Sequence, residues 1–137
     1  MDEDRFFRKM QETQTPAEME VARKLLDWAT ISPHWVYWGR RSFIAVIDLK
    51  DGYQLFYVAT GGKISLPFAE YRRRSPFESE DKRKELLRQF NSFLNAKIPE
   101  TAIDKRPGFP LAELTEAGKL DQFLKTFDWF VEQVKTT

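Results

Sequence analysis

The chain of 137 residues contains no cysteine and a single histidine, His34. Without cysteine there are no disulfides, no thiolate metal ligands and no cysteine nucleophile. With one histidine, a zinc site would need carboxylates for nearly all of its ligands, and a histidine relay would depend on His34 alone. We therefore predict no metal ion, no cofactor and no catalytic residue.

Long apolar runs are also missing. No segment approaches the roughly 18 consecutive apolar residues of a membrane span, and the acidic start over residues 1–4 does not resemble a signal peptide. The net charge of +1 argues against general salt-driven nucleic-acid binding, although it leaves room for a local basic patch. These observations predict a soluble, cytoplasmic protein that makes no contact with a membrane.

Aromatic side chains, by contrast, are abundant. They make up 15% of the sequence, with 12 phenylalanines and 4 tryptophans, beside 42% hydrophobic and 31% charged residues. Large rings bury much area per residue, which suits one small domain spanning residues 1–137. Rings in excess of what the core needs would mark a binding face or a subunit interface.

Apolar residues at helical spacing predict three longer helices. The first begins directly after Thr15, which can cap it while Glu18 completes a capping box. The other two are expected over residues 79–95 and 117–135. Before all of them, residues 1–13 form either a short docked helix or a loosely docked lead.

The middle of the chain has the composition of β-strands. An apolar, β-branched run over residues 43–49 and an alternating run over residues 53–60 are separated by a turn at Asp51-Gly52. Residues 35–38 and 63–68 add a leading and a following strand. The predicted fold class is α+β: an antiparallel β-meander of three to five strands packed against about three α-helices, in a single layer mainly on one sheet face.

The segment from Trp35 to Arg41 is aromatic and basic at once. In a strand, Trp35 and Tyr37 share one face and Trp38 lies on the other. Exposed rings beside arginines form the platform of many single-stranded nucleic-acid binding proteins. The alternative is that the rings close the end of the core and the arginines lie over them. Because aromatic residues usually belong to the core, this second interpretation is preferred.

A second basic stretch, Arg72-Arg73-Arg74, follows the predicted meander. From Trp35 to Arg74 there are seven basic and three acidic residues. This excess of positive charge suits a nucleic acid or another anion, although most charge runs in loops are simply solvated. The predicted binding surface consists of Trp35, Tyr37, Trp38, Arg40, Arg41, Arg72, Arg73 and Arg74.

The apolar run ends in Asp48-Leu49-Lys50. An apolar strand ending in Asp-x-Lys resembles the metal-binding half-motif of the restriction-endonuclease-like nucleases. In that family the acid binds a divalent metal and the lysine helps to activate or orient water. The resemblance implies a metal-dependent phosphodiesterase built on Asp48 and Lys50. The alternative is that both residues belong to the hairpin turn that continues into Asp51-Gly52.

Three functional hypotheses follow from the sequence. The leading one is a non-enzymatic binding or accessory module that contacts a protein or a nucleic acid through the predicted binding surface. The second is the nuclease-like phosphodiesterase. The third is a structural homo-oligomer, such as a homodimer, whose surplus aromatic residues lie in the subunit interface.

Overall fold

A five-stranded antiparallel sheet covered by helices forms the fold, seen in a computed structural model that describes residues 1–49 and 52–137. Its strands lie in the order β1-β2-β3-β4-β5. The elements in chain order are α1 (Glu3–Met10), α2 (Pro16–Ala29), β1 (His34–Trp38), β2 (Ser42–Ile47), β3 (Tyr53–Ala59), β4 (Lys63–Ser65), α3 (Phe68–Tyr71), α4 (Glu80–Asn91), a 3-10 helix (Glu100–Asp104), β5 (Gly108–Pro110), a second 3-10 helix (Leu111–Thr115) and α5 (Lys119–Lys135).

The predicted fold class is confirmed. The sheet is an antiparallel meander at the upper end of the expected strand number, and the three predicted longer helices correspond to α2, α4 and α5. The structure adds two short helices, α1 and α3. Helical periodicity is weak in segments of this length, because α1 spans only about two turns and α3 about one. Among the described residues, no helix combines the length and apolar character needed to cross a bilayer.

Side-chain caps mark the starts of α1, α2 and α4. The Thr15 hydroxyl accepts a hydrogen bond from the Glu18 amide at 3.2 Å, which confirms the predicted start of α2. Ser79 caps α4 in the same way. Four residues later, α4 carries a buried arginine, Arg83. In α1 the side chains of Phe6, Phe7 and Met10 are buried, so the first residues form a docked helix rather than a loose lead.

The core lies between one face of the sheet and the helices. Phe123, Phe127 and Phe130 of α5 are completely buried, and the rings of Phe123 and Phe127 meet Phe56 of β3 and Phe90 of α4 at centroid distances between 5.1 and 5.9 Å. Edge-to-face and tilted pairs at these distances are favourable beyond the area that they bury. Most of the aromatic residues are therefore used in this core.

A β-bulge in β3 changes which of its side chains share a face. Ala45 of β2 pairs with Phe56 and Val46 pairs with Gln54, so Leu55 is the extra residue. Strict alternation would put Tyr57 on the same face as Leu55. With the bulge, Leu55 and Phe56 are both buried, and Gln54 and Tyr57 lie together on the opposite face.

Two tyrosine hydroxyls attach α3 and the turn after it to β3. Tyr71 donates a short hydrogen bond to the carbonyl oxygen of Leu55. Tyr53 donates to the carbonyl oxygens of Arg74 and Ser75, at 2.5 and 2.8 Å. Since β4 ends at Ser65, this segment occupies the space beside β3 that a longer β4 would have filled.

Candidate functional site

Large hydrophobic side chains are exposed mainly in one short segment. Of the four that are exposed among the described residues, three lie between positions 31 and 37: Ile31 at 63%, Trp35 at 44% and Tyr37 at 55%. A tryptophan and a tyrosine side by side on the surface are unusual when the rest of the aromatic residues are packed. This concentration makes residues 31–37 the candidate contact surface.

The rings of Trp35 and Tyr37 border a cleft on the sheet face turned away from the core, here called the open face. The cleft has a volume of about 430 Å³, within the range of sites that hold small ligands. Three strands, α3 and the turn after α3 line the cleft. Its lining residues include Trp35, Tyr37, Ile44, Val46, Gln54, Glu70 and Arg74.

Strand register places these residues in two rows across the sheet. Tyr37 pairs with Ile44, and Trp35 pairs with Val46, which in turn pairs with Gln54. Ile44 and Val46 are only 8% and 7% exposed, yet they belong to no part of the core cluster. They form an aliphatic floor between two walls. The aromatic wall consists of Trp35 and Tyr37 on β1, and the polar wall consists of Gln54 on β3, Glu70 on α3 and Arg74 in the turn after α3.

Glu70 is the acid in the cleft, and arginines surround its carboxylate. Arg106 lies 2.6 Å from one carboxylate oxygen and Arg73 lies 3.7 Å from the other. Two cations therefore face one anion, and of the two only Arg106 lies within hydrogen-bond distance of it. The polar side of the cleft carries net positive charge despite the acid.

The arginines of the predicted binding surface differ in their surroundings. Arg72 pairs with Asp104 at 3.4 Å, and Arg73 pairs with Glu70. Arg74 lines the cleft itself. Arg40 and Arg41 are exposed in the turn between β1 and β2, and no ion pair to a described residue involves either one.

Trp38 lies on the other side of β1 from Trp35 and Tyr37. Its ring contacts Phe6 of α1 and Phe43 of β2 at centroid distances of 5.8 and 5.7 Å. The predicted alternation along the strand therefore holds, and each interpretation of the aromatic segment applies to part of it. Trp38 closes the end of the core and does not contribute to the cleft, whereas Trp35 and Tyr37 face solvent.

The residues of the nuclease-like half-motif lie at the end of β2. Asp48 is exposed, and its amide donates to the carbonyl oxygen of Pro33 at 3.1 Å. Lys50 lies outside the described residues, as does Asp51 of the predicted hairpin turn. Within residues 1–49 and 52–137, no group of three or more histidine or acidic side chains is close enough to hold a metal ion.

Several residues of the cleft could not be identified from the sequence pattern. Ile44 and Val46 resemble core residues because they stand in a continuous apolar strand. Gln54 and Glu70 are single polar residues next to apolar ones, and this is the one sequence feature that could have identified them as cleft residues. The two side chains reach the same cleft because of the bulge in β3 and the position of α3, which are both set by tertiary contacts.

His34 supports the base of β1 next to Trp35. Its ring stacks on Trp28 with a centroid distance of 3.7 Å and an interplanar angle of 23°. Its Nδ1 lies 3.0 Å from the carbonyl oxygen of Trp28, so this nitrogen carries the proton of the neutral ring and donates it. Partial burial lowers the pKa of His34 below its ordinary value of 6.5, with the hydrogen bond and Asp128 opposing this shift.

We expect His34 to reduce stability at acidic pH. Its pKa is lower in the folded than in the unfolded chain, so the unfolded chain binds the proton first as the pH falls through 6.5. The His34 contribution is complete above that value and is lost below it. Urea unfolding between about pH 7.5 and 5.5 should show a smaller acid-induced loss for His34→Gln than for the wild type. Equal losses in the two proteins would contradict this role.

Comparisons of the chain with known protein families, with curated proteins and with solved structures find no match.

Proposed function

We propose that this protein is a non-enzymatic binding module that holds single-stranded nucleic acid on the open face of its sheet. The observation that carries this proposal is the pair of exposed rings, Trp35 and Tyr37, on one face of an edge strand beside a cleft that Arg74 lines. Bases stack on such rings whatever their sequence, because every base has a π-face.

The spacing of the two rings supports stacking on successive bases. Residues two apart on a strand are separated by about 6.8 Å along its axis, so each ring can take a base of its own. Because β1 is an edge strand, paired only with β2, a strand of nucleic acid can pass along it without obstruction from a further strand. The aliphatic floor at Ile44 and Val46 offers apolar contact to the flat side of a base.

Charge favours a nucleic acid over a protein as the partner. Arg40 and Arg41 lie three and four residues after Tyr37, at one end of the aromatic wall, and Arg74 lies in the cleft. Glu70, the acid that lines the cleft, is already paired with two arginines, whereas Asp48 is exposed beside Trp35. A phosphate backbone that follows the wall would meet Arg40 and Arg41 at the end of β1, while the protein's overall charge of +1 limits binding elsewhere.

The test of the aromatic contribution is fluorescence anisotropy with a labelled single-stranded oligonucleotide. We expect Trp35→Ala to weaken binding by a factor of roughly 10 to 100, because base–aromatic stacking contributes about 1–3 kcal/mol per base. Trp35→Phe keeps a ring and should retain most of the affinity. Urea unfolding of both variants separates a loss of affinity from a loss of stability, since the Trp35 ring is 44% exposed and lies outside the core cluster.

The electrostatic contribution is tested on the same oligonucleotide at two salt concentrations. Arg40→Ala combined with Arg41→Ala should weaken binding and reduce the salt dependence, by about 0.7 in the logarithmic slope for each phosphate that the protein no longer neutralises. Arg88→Ala, an exposed arginine of α4 in the helical layer, is the matched control and should change neither quantity. If no salt-dependent binding is detected and light scattering gives a dimer mass, the aromatic surface is a subunit interface instead.

A further inference from the structure

The bulge in β3 brings two polar side chains together on the open face. Leu55 is the extra residue, so Gln54 and Tyr57 point to the same side although they are three positions apart. The hydroxyl of Tyr57 donates a hydrogen bond to Oε1 of Gln54 at 2.7 Å. This contact exists only because the bulge breaks the alternation of the strand.

In the structure Oε1 of Gln54 is turned to the Tyr57 hydroxyl, which leaves the other end of the amide for the cleft. With Oε1 turned to Tyr57, the amide NH2 group is the end available to a ligand, and Gln54 lines the cleft. Within the part of the chain that the structure describes, no protein acceptor lies within hydrogen-bond distance of this nitrogen, and it is not sealed from solvent. Gln54 therefore presents a hydrogen-bond donor.

The charged groups around the cleft supply both cations and an acceptor. Arg74 lines the cleft, and its guanidinium can only donate. The carboxylate of Glu70 is hydrogen-bonded by Arg106 at 2.6 Å and keeps further acceptor capacity. The donor argument therefore depends on Gln54, and a ligand that reaches this amide is favoured if it presents an acceptor atom there.

We infer that Gln54, oriented by Tyr57, makes the cleft select bases that present a carbonyl oxygen over bases that present an amino group. This inference rests on the proposed function. Uracil and cytosine give the sharpest contrast, since they share a pyrimidine ring and the same C2 carbonyl but have opposite groups on the adjoining edge. At position 4 uracil has a carbonyl acceptor and cytosine an amino donor, and at N3 uracil has a donor and cytosine an acceptor. A cytosine in the same pose would set its donor against the donor of Gln54 and leave both unpaired.

The test compares oligo(dU) with oligo(dC) of equal length, both labelled, by fluorescence anisotropy. We expect the wild type to bind oligo(dU) roughly 5-fold more tightly, the lower end of the discrimination that a bidentate contact to a base provides, because Gln54 offers a single donor group. Gln54→Ala should bring the two affinities within about twofold of each other. Gln54→Glu replaces the donor by an acceptor and should shift the preference toward oligo(dC).

Tyr57 is a positioning residue, and its variant isolates that role. Tyr57→Phe keeps the ring and removes only the hydroxyl that holds Oε1, so the amide can turn either end to the cleft. We expect the preference for oligo(dU) to fall while the salt dependence of binding and the midpoint of urea unfolding stay unchanged. A purely structural role of Tyr57 would instead lower the unfolding midpoint and leave the preference intact.

Failure of the inference and failure of the proposed function give different results. Equal wild-type binding of oligo(dU) and oligo(dC), weakened in both cases by Trp35→Ala, would overturn the selectivity and leave the nucleic-acid module standing. A preference that persists in Gln54→Ala would also overturn it. Absence of binding to either oligonucleotide would overturn both.

Discussion

Replacing Phe130 by alanine is expected to lower the free energy of unfolding by about 4 kcal/mol, near the middle of the range for buried phenylalanine truncations. The ring is completely buried in α5 and stacks on Phe77 with a centroid distance of 4.1 Å and an interplanar angle of 16°. It also meets the rings of Tyr71 and Tyr53 edge-on, at 4.9 and 5.4 Å. Alanine leaves a cavity among three rigid rings that cannot collapse easily.

Equilibrium unfolding in urea, followed by tryptophan fluorescence, measures this loss. Phe130→Leu fills much of the same space and should cost clearly less than alanine. Lys125→Ala, an exposed position on the same helix, is the matched control and should stay within about 0.5 kcal/mol of the wild type. A loss below about 2 kcal/mol for Phe130→Ala would mean that the aromatic cluster repacks around the deletion.

Phe130 also connects the core to the cleft. The two tyrosines that it contacts are those whose hydroxyls hold α3 and the turn after it against β3. That segment carries Glu70 and Arg74, which form the polar wall together with Gln54 of β3. The position of the wall therefore depends on packing beneath the sheet, on the face opposite to the one that would meet a ligand.

Most of the fold could be predicted from local patterns because each pattern is strong where the element is long. The capping signal at Thr15 and the apolar stripes of α4 and α5 are repeated over several turns. The direction of Trp35, Tyr37 and Trp38 relative to one another followed from strand alternation alone. Which side faced the core did not follow, because it depends on α1 docking Phe6 against Trp38.

The cleft depends on contacts between distant parts of the chain and was beyond local patterns. The run Tyr53-Gln54-Leu55-Phe56 resembles simple alternation with one apolar residue out of place, and only pairing with β2 shows that Leu55 is bulged. Glu70 enters the cleft because β4 stops after three residues and α3 takes its place. Of the predicted arginines, Arg72 is paired with Asp104, which no spacing rule could indicate.

Arg83 is the second residue whose replacement should cost much stability. It is a buried arginine of α4, only 6% exposed, and its guanidinium donates to three backbone carbonyl oxygens. Nε bonds Ile103 at 3.1 Å, and one terminal nitrogen bonds Phe77 and Glu78 at 2.9 and 2.8 Å. The other terminal nitrogen lies 3.3 Å from Asp104. One side chain thus ties α4 to the loop before it and to the first 3-10 helix.

We expect Arg83→Met to lower the free energy of unfolding by about 3 kcal/mol. Methionine replaces the aliphatic stem, so the loss measures mainly the donors, and each carbonyl left buried without a partner costs about 1–3 kcal/mol. Urea unfolding measures this change, with Arg88→Met on the exposed side of the same helix as the control. Arg83→Lys should recover only part of the stability, since one ammonium group cannot reach acceptors on two separate segments.

The two core variants should also interact, because Phe77 belongs to both arrangements. Its carbonyl oxygen accepts from Arg83 and its ring stacks on Phe130. Once either substitution has loosened Phe77, the other has less ordered structure to disrupt. The double variant Phe130→Ala with Arg83→Met should therefore lose less free energy of unfolding than the two single variants lose together. We expect the difference to exceed about 0.5 kcal/mol. Strict additivity would show that the guanidinium and the aromatic cluster stabilise the fold independently, and that the carbonyl contacts of Arg83 do not position Phe77.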